Sequence, residues 1–213
     1  MMFSDRVEAG KMLTSALMDY AGGDAVVLAI PRGGVVVGYE VAHKLRLCLD
    51  LIVPRKIGAP HNSELAIGAV TEDGIVMIEN RLVEYLGVSR SYIEEECDRQ
   101  RLEIIRRLKR YRGDLPYPNL QGRVVIIVDD GIATGATIRA ALASVRKKGP
   151  QSVVIAVPVA PLSTIRGLEE AADRVVCLST PEPFFAVGQF YRNFPQTSDG
   201  DVKRLLRLNR EEL

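Results

Sequence analysis

The chain has 213 residues, 47% of them hydrophobic, which is enough for one domain with a sizeable core. Lysine and arginine number 28 and aspartate and glutamate 27, so no excess charge predicts binding to nucleic acid or to a membrane surface. The chain turns polar within its first residues, and no apolar run approaches the roughly 18 residues of a membrane helix. We therefore expect neither a signal peptide nor a membrane span.

The cysteines and histidines predict neither disulfides nor a metal site. Cys48, Cys97 and Cys177 are odd in number and widely spaced, so we interpret them as reduced packing residues of a cytoplasmic protein. His43 and His61 lie too far apart for their spacing to indicate a metal site. The sequence therefore predicts no metal ligands.

The first part of the chain predicts alternating helices and strands. Asp5 and Glu8 have the spacing of a capping box and open an amphipathic helix that includes Tyr20 and ends at Gly22 and Gly23. A βαβ unit follows, and then a short hairpin. The predicted elements are a strand at 25–30, a helix from about 34 to 45, a strand at 49–53 and hairpin strands at 65–70 and 75–78.

An insertion of different character occupies about residues 80–122. Ser89 is the expected N-cap of a long helix with an apolar stripe and a basic end, which suits the helix dipole. The stripe comprises Ile93, Cys97, Ile104 and Leu108, and the basic cluster comprises Arg106, Arg107, Lys109, Arg110 and Arg112. We interpret the charged side as a solvated face. Contact of the cluster with RNA or an acidic partner is the alternative.

The second part of the chain continues the alternation. It predicts strands at 124–128, 153–157 and 174–178, with helices near 136–147 and 163–172 between them. Strands that alternate with helices indicate an α/β fold, namely a Rossmann-like three-layer arrangement. Its central, mostly parallel sheet would carry helices on both faces, and the whole chain, residues 1–213, would be one domain.

The most informative segment follows the strand at 124–128. Five β-branched residues in a row are typical of a strand covered on both faces, and ligands of such sheets bind beyond the carboxyl ends of the strands. Asp129 and Asp130 lie at that end. The next residues, 131–137, can turn backbone N–H groups, two hydroxyls and a helix N-terminus toward one phosphate. We therefore predict a sugar-phosphate site.

Two other interpretations of this segment fit less well. The loop has neither the lysine of a Walker P-loop nor the pattern G-x-G-x-x-G, so neither nucleotide-binding motif applies. A strand end with a polar helix cap is common, but a cap needs one polar residue rather than two acids that repel each other. The acid pair therefore favours a ligand.

Two further segments carry anion-binding chemistry. Pro31, Arg32, Gly33 and Gly34 follow the first strand, where the glycines let the backbone approach a ligand and a helix N-terminus favours an anion. The same residues also make ordinary turns. The pair Arg55-Lys56 directly follows the second strand and is expected to project into the same crevice, with a solvated surface pair as the alternative.

Together, these residues resemble the type I phosphoribosyltransferase family. The hydrophobic strand, the paired acids and the Thr134-Gly135-Ala136-Thr137 loop are similar to the family's signature for 5-phosphoribosyl 1-pyrophosphate, abbreviated PRPP. The resemblance implies that Asp129 and Asp130 hold the ribose 2′ and 3′ hydroxyls. The 5′-phosphate would be bound by the loop Gly131, Ile132, Ala133, Thr134, Gly135, Ala136 and Thr137. Pyrophosphate would be bound by Arg32, Gly33, Gly34, Arg55 and Lys56.

The resemblance has two implications for loop structure. It implies a cis peptide bond between Pro31 and Arg32. It also suggests that residues 58–63, which are small and polar, form a lid over the reaction, although a plain surface loop would have the same composition. Glu64, directly after this loop, is a candidate for contact with the substrate.

The C-terminal part would supply a hood over the acceptor, together with the N-terminal helix. Residues 181–194 contain four of the five phenylalanines, and Phe185-Ala-Val-Gly188 resembles the Phe-Val-Val-Gly segment of the hypoxanthine-guanine branch. Either Phe184 or Phe185 is therefore expected to stack on a planar ring, in a hood that extends over about residues 181–213. Ala133 stands where that branch has an aspartate, and Val157-Pro158-Val159 replaces its purine-reading lysine. Adenine-like or non-purine rings are therefore as well suited as hypoxanthine.

The resemblance implies an enzyme that transfers 5-phosphoribosyl from PRPP to a nitrogen acceptor and releases pyrophosphate. Its partners would be these small molecules, and Mg²⁺ would be required, bound mainly by PRPP oxygens and water rather than by a protein cage. A homodimer is an open alternative to a monomer. So is a non-catalytic regulator of the same fold that senses PRPP or nucleotides.

Overall fold

The computed structural model describes residues 1–213 apart from the side chain of Glu64, so the hypothesis that Glu64 contacts substrate lies outside the described residues. Helices and strands alternate as the sequence predicts. In chain order the elements are α1 (Arg6–Ser15), β1 (Ala25–Ala29), α2 (Gly33–Leu45), β2 (Cys48–Leu51), β3 (Arg55–Ala59), β4 (Asn62–Val70), β5 (Val76–Ile78), α3 (Asn80–Leu86), α4 (Arg90–Arg112), β6 (Val124–Val128), α5 (Ala136–Lys147), β7 (Ser152–Val159), α6 (Leu162–Glu169), β8 (Arg174–Ser179) and α7 (Asp199–Glu212).

The central sheet of the described chain is parallel, in the order β2-β1-β6-β7-β8. Alternate residues of its strands face two separate hydrophobic clusters. One cluster joins the sheet to α1, α2 and α7, and the other joins it to α5 and α6. The predicted fold class, a mostly parallel sheet with helices on both faces, is therefore confirmed. Strand β6 is almost fully buried because helices cover both of its faces.

A smaller antiparallel sheet, β3-β4-β5, corrects the prediction for residues 55–63. The hairpin of β4 and β5 was expected, but β3 was not. Residues 58–63, expected to be an open loop, form the ends of two paired strands around a tight turn at Pro60 and His61. Gly58 makes this pairing feasible, because a Cβ there would lie 2.8 Å from the backbone of Ser63. The segment lacks the apolar alternation that identifies a strand.

The helical insertion has two helices. Gly87 adopts a left-handed conformation and ends α3, and Ser89 then caps α4 by accepting a hydrogen bond from the N–H of Tyr92. The expected stripe of α4 is confirmed: Cys97 and Ile104 are buried, and Ile93 and Leu108 pack against the core. The cysteines of the described chain are free thiols. Among the described helices, none combines the length and apolar character needed to cross a membrane.

The ends of the chain differ most from the predictions. Helix α1 has the expected N-cap, Asp5, but ends at Ser15, and Tyr20 lies in a separate 3₁₀ turn. Helix α7 was not predicted, although its buried residues have helical spacing: Val202, Leu205, Leu206 and Asn209. Asn209 joins α7 to the edge of the sheet, since its side chain accepts from the N–H of Leu49 at 2.8 Å and donates to the carbonyl of Leu47 at 3.1 Å.

Candidate active site

The crevice between β1 and β6 is the place where the sheet can bind a ligand. Helix α2 leads from β1 to β2 on one side, whereas α5 leads from β6 to β7 on the other side. The chain therefore diverges between the two strands, and ligands of open α/β sheets bind at such a switch point beyond the carboxyl ends. The loop that begins at Pro31 follows β1, and the loop that begins at Asp129 follows β6.

These two loops are in direct contact. A Cβ added at Gly33 would overlap the carboxylate of Asp130, and one added at Gly34 would lie 2.8 Å from Asp129 Oδ1. Only glycine permits this approach at both positions. The peptide bond between Pro31 and Arg32 is cis, as the resemblance implies. The structure thus brings together two segments that are almost 100 residues apart in sequence and that we assigned to ribose and to pyrophosphate.

The acid pair is neutralised in part by an arginine that sequence reasoning missed. Arg6 Nε donates to Asp130 Oδ2 at 2.6 Å, and the side chains of Arg6 and Asp130 are only 10% and 15% exposed. Asp129 Oδ1 accepts a hydrogen bond from the N–H of Asp130. Burial and the charge of Asp130 raise the pKa of Asp129 well above its ordinary value, while the charge of Arg6 opposes this rise.

Arg6 is itself held by the C-terminal segment. It donates to the carbonyl of Pro195 at 2.7 Å, and its guanidinium carbon lies 3.7 Å from the ring centroid of Phe194. Nearby, the Tyr191 hydroxyl donates to the backbone carbonyl of Asp130 at 2.6 Å. No sequence pattern indicates a role for Arg6, because it lies 124 residues from Asp130 and occupies an ordinary first helical position.

The loop at residues 131–137, which we assigned to the 5′-phosphate, leads into the N-terminus of α5. Gly135 adopts a φ of +82° and leads directly into α5, whose first N–H groups have no partner within the helix. Ala133 and Thr134 are exposed. Their carbonyls accept hydrogen bonds from Thr164 Oγ1 at 2.8 Å and from Arg139 at 3.1 Å. The loop therefore presents a helix N-terminus to the crevice, where an anion is favoured.

The predicted pyrophosphate cations lie in three different environments. Arg55 donates to Gln100 of α4 and approaches Glu103. Contrary to our expectation, its side chain therefore does not face the crevice. The reason is the strand β3, in which neighbouring side chains point to opposite faces. Lys56 lines a cavity of about 550 Å³ beside the phosphate loop. Arg32 lies 3.7 Å from Asp199 at the start of α7.

The two hood phenylalanines also differ. Phe184 lies 4.9 Å from the ring of Phe190 and packs against the small cluster of the hood, whereas Phe185 is 83% exposed. Gln189 fixes the segment by accepting from the N–H groups of Phe185 and Ala186. The hood also touches the phosphate loop, because a Cβ at Gly131 would lie 2.5 Å from Val187. Phe185 is thus the residue available for stacking.

The fold is α/β, and the acid pair, the glycine loop and a helix N-terminus meet in one crevice at the carboxyl ends of β1 and β6. The family model of the phosphoribosyl transferase domain matches residues 7–194. The chain therefore belongs to the phosphoribosyl transferase domain family.

Individual relatives support this assignment. The putative phosphoribosyl transferase Rv0571c of Mycobacterium tuberculosis is 44% identical over 205 residues, which are 96% of this chain and 46% of the relative. The chain thus spans about half the length of this relative. The crystal structure of TT1426 from Thermus thermophilus is 45% identical, with a TM-score of 0.81 over 97% of this chain and 98% of that one. A hypothetical protein from Neisseria gonorrhoeae with bound ppGpp shares the fold, at 14% identity and a TM-score of 0.51 over 99% of this chain and 96% of that one.

Proposed function

We propose that the chain is a PRPP-dependent phosphoribosyltransferase that joins ribose 5-phosphate to a nitrogen heterocycle and releases pyrophosphate. The observation that carries this proposal is the direct contact of the acid pair with Gly33 and Gly34 beside the N-terminus of α5. This arrangement offers carboxylates to ribose hydroxyls, backbone N–H groups to a phosphate, and a second glycine loop to the leaving group.

In the proposed reaction, the bond from ribose C1 to pyrophosphate breaks, a bond from C1 to the acceptor nitrogen forms, and the acceptor loses a proton. Asp129 and Asp130 hold the ribose in place while positive charge develops on its ring. The amides of Gly33 and Gly34, with Arg32 and Lys56, stabilise the charge that builds on pyrophosphate. Phe185 holds the planar acceptor.

The proposed cofactor is Mg²⁺. The described residues contain no group of three or more metal-ligating side chains, and Asp130 is paired with Arg6. A magnesium ion that keeps its waters and binds mainly substrate oxygens fits this donor set. When bound to PRPP it would neutralise negative charge on pyrophosphate.

The proposal is tested by measuring pyrophosphate release from PRPP and Mg²⁺ with a panel of nucleobases and other nitrogen heterocycles. Release is expected with at least one acceptor. Replacing either Asp129 or Asp130 by Ala removes charge-assisted hydrogen bonds of about 1.5–3 kcal/mol each, so PRPP binding is expected to weaken roughly tenfold to a hundredfold. Calorimetry that shows unchanged PRPP affinity in both variants contradicts the assignment of the acids.

The second candidate is a non-catalytic sensor of PRPP or nucleotides, as the bound ppGpp of the Neisseria protein suggests for this fold. Tight PRPP binding without turnover on any acceptor would support it. The further idea that α4 binds RNA is weakened by internal pairing, because Glu103 contacts Arg106 and Arg107, and Asp199 contacts Arg110. These two acids offset part of the positive charge of the cluster.

A further inference from the structure

Arg6 reaches the centre of the candidate site from the N-terminal helix. Its Nε contacts Asp130 Oδ2. A Cβ added on Gly33 would lie 2.8 Å from the same nitrogen, so Arg6 also lies directly beside Gly33. The guanidinium therefore lies where the ribose acids meet the loop assigned to pyrophosphate. The Pro195 carbonyl and the Phe194 ring hold it there. A side chain fixed on so many sides is built into the site rather than resting on the surface.

Arg6 is placed to reduce the electrostatic repulsion between Asp129 and Asp130. Two neighbouring carboxylates in a poorly hydrated crevice repel each other and tend to bind a proton. A protonated carboxyl accepts fewer hydrogen bonds from sugar hydroxyls than an ionised one. Among the residues whose side chains the structure describes, the titratable and charged groups that face the pair are Arg6 of α1 and Tyr191 of the hood, whose hydroxyl donates to the backbone of Asp130. Arg6 is thus the cation that offsets the charge of the pair.

We propose that Arg6 is a positioning residue of the PRPP site, which offsets the negative charge of the acid pair and fixes Asp130 by Oδ2 so that Oδ1 is presented to a ribose hydroxyl. The proposal rests on the function proposed above. Arg6 would act through Asp130 and would not need to touch the reacting atoms. Its contacts with Phe194 and Pro195 would also tie the hood to the ribose acids.

The test compares Arg6→Gln and Arg6→Lys with a matched control, Arg204→Gln. Arg204 lines the same surface cleft as Arg6, but it is half exposed and its nearest acid is Asp201 at 3.7 Å. PRPP affinity with Mg²⁺ is measured by calorimetry from roughly pH 5 to 9, because binding should weaken where Asp129, whose pKa is raised, takes up a proton. Circular dichroism confirms that each variant is folded.

Arg6→Gln should weaken PRPP binding at neutral pH by roughly tenfold to a hundredfold, because Asp130 would lose the charge-assisted contact that fixes its orientation. It should also move the acid-side loss of binding to higher pH. Arg6→Lys keeps the charge but not the planar donor group, so the pH profile should return while affinity recovers only in part. Arg204→Gln should resemble the unmodified protein. An equal loss of affinity at every pH, or no loss, would overturn the proposal.

A second measurement separates this proposal from the proposed function. Carbon NMR of the ligand-free protein follows the titration of Asp129, and Arg6→Gln should move its midpoint to higher pH because the opposing positive charge is gone. An unchanged midpoint overturns the role of Arg6, whether or not the protein binds PRPP. A shifted midpoint in a protein that does not bind PRPP would leave the electrostatic role of Arg6 standing and would overturn the proposed function instead.

Discussion

At the scale of single residues, the buried acid pair carries a cost to the stability of the folded protein. Asp129 lies at the end of the buried strand β6, and burial together with the charge of Asp130 raises its pKa. A carboxylate that is hard to ionise in the folded protein destabilises that protein at neutral pH. Residues that a ligand needs are commonly arranged in this way.

We therefore expect Asp129→Asn to raise the free energy of unfolding of the ligand-free protein at neutral pH. The ordinary pKa of this carboxyl is 3.8, and in the folded protein the pKa is well above that value. Between the two values the folded protein binds more protons than the unfolded chain, so stability falls as the pH rises through this window. Asparagine does not titrate, so the variant should lack this decrease of stability with pH. Urea denaturation at several pH values, from about 4 to 8, checks the slope; an unchanged slope would contradict the prediction.

The two hood phenylalanines give a matched pair of variants. Phe185→Ala should cost about 1–3 kcal/mol of acceptor binding, with PRPP affinity and stability nearly unchanged, because the ring is exposed and free to stack. Phe184→Ala should instead lower the free energy of unfolding, since that ring packs on Phe190. Calorimetry and thermal unfolding of both variants distinguish the roles. If Phe185→Ala lost PRPP and acceptor binding equally, its assignment to the hood would be wrong.

At the scale of elements, the start of α2 packs so closely against the residues that follow β6 that no side chain fits between them. Gly33 and Gly34 are required by the acids they face rather than by their own backbone conformation, which is not left-handed at either position. The glycine pair thus permits the close packing of α2 against the end of β6.

Gly33→Ala should therefore weaken PRPP binding by at least tenfold, because the new methyl group overlaps the carboxylate of Asp130 and displaces it from Arg6. Gly200→Ala is the matched control. Gly200 lies in the first turn of α7, where a Cβ would meet Ser198 Oγ at an ordinary 3.5 Å. The control should bind PRPP normally. Normal PRPP binding by both variants would show that the acids do not need the contact seen here.

One buried polar side chain, Asn209, helps to hold helix α7 against the sheet. Asn209→Ala should lower the free energy of unfolding by about 1–3 kcal/mol, because the backbone N–H of Leu49 and the carbonyl of Leu47 lose their partner in a buried position. Compared with the unmodified protein, the variant should show faster hydrogen exchange of the backbone amides in β2, and a smaller change in β7. Equal protection in the variant and the unmodified protein would contradict this role.

At the scale of the whole molecule, a buried ion pair joins the helical insertion to the central sheet. Arg112, the last residue of α4, donates to Asp50 of β2 at 2.8 Å and to the carbonyl of Leu51 at 3.2 Å, and both charged side chains are less than one-tenth exposed. The insertion is therefore an integrated part of the fold. Its other contacts include the hydrogen bond from Tyr111 to Asp199 at the start of α7.

Arg112→Met should lower the free energy of unfolding by about 3–5 kcal/mol, because Asp50 would remain buried without its partner. The double variant Asp50→Asn with Arg112→Met should be less destabilised than Arg112→Met alone. Arg90→Met is the control on the same helix, since its pair with Glu94 is exposed and should contribute under about 1 kcal/mol. Chemical denaturation measures all three. A double variant no more stable than the single one would show that the cost is packing rather than charge.

The sequence by itself determined the parallel sheet, most element positions and the signature loop, because these depend on periodicity and on residues adjacent in the chain. The helix at Ala136–Lys147 and the acids Asp129 and Asp130 are examples. Only the tertiary structure decided that Arg6 pairs with Asp130, that Arg55 turns to α4 while Lys56 lines a cavity with the loop at 131–137, and that Phe185 rather than Phe184 is exposed. Those outcomes depend on which distant surfaces pack together, and a hydrophobic pattern specifies that a face is buried without specifying what it meets.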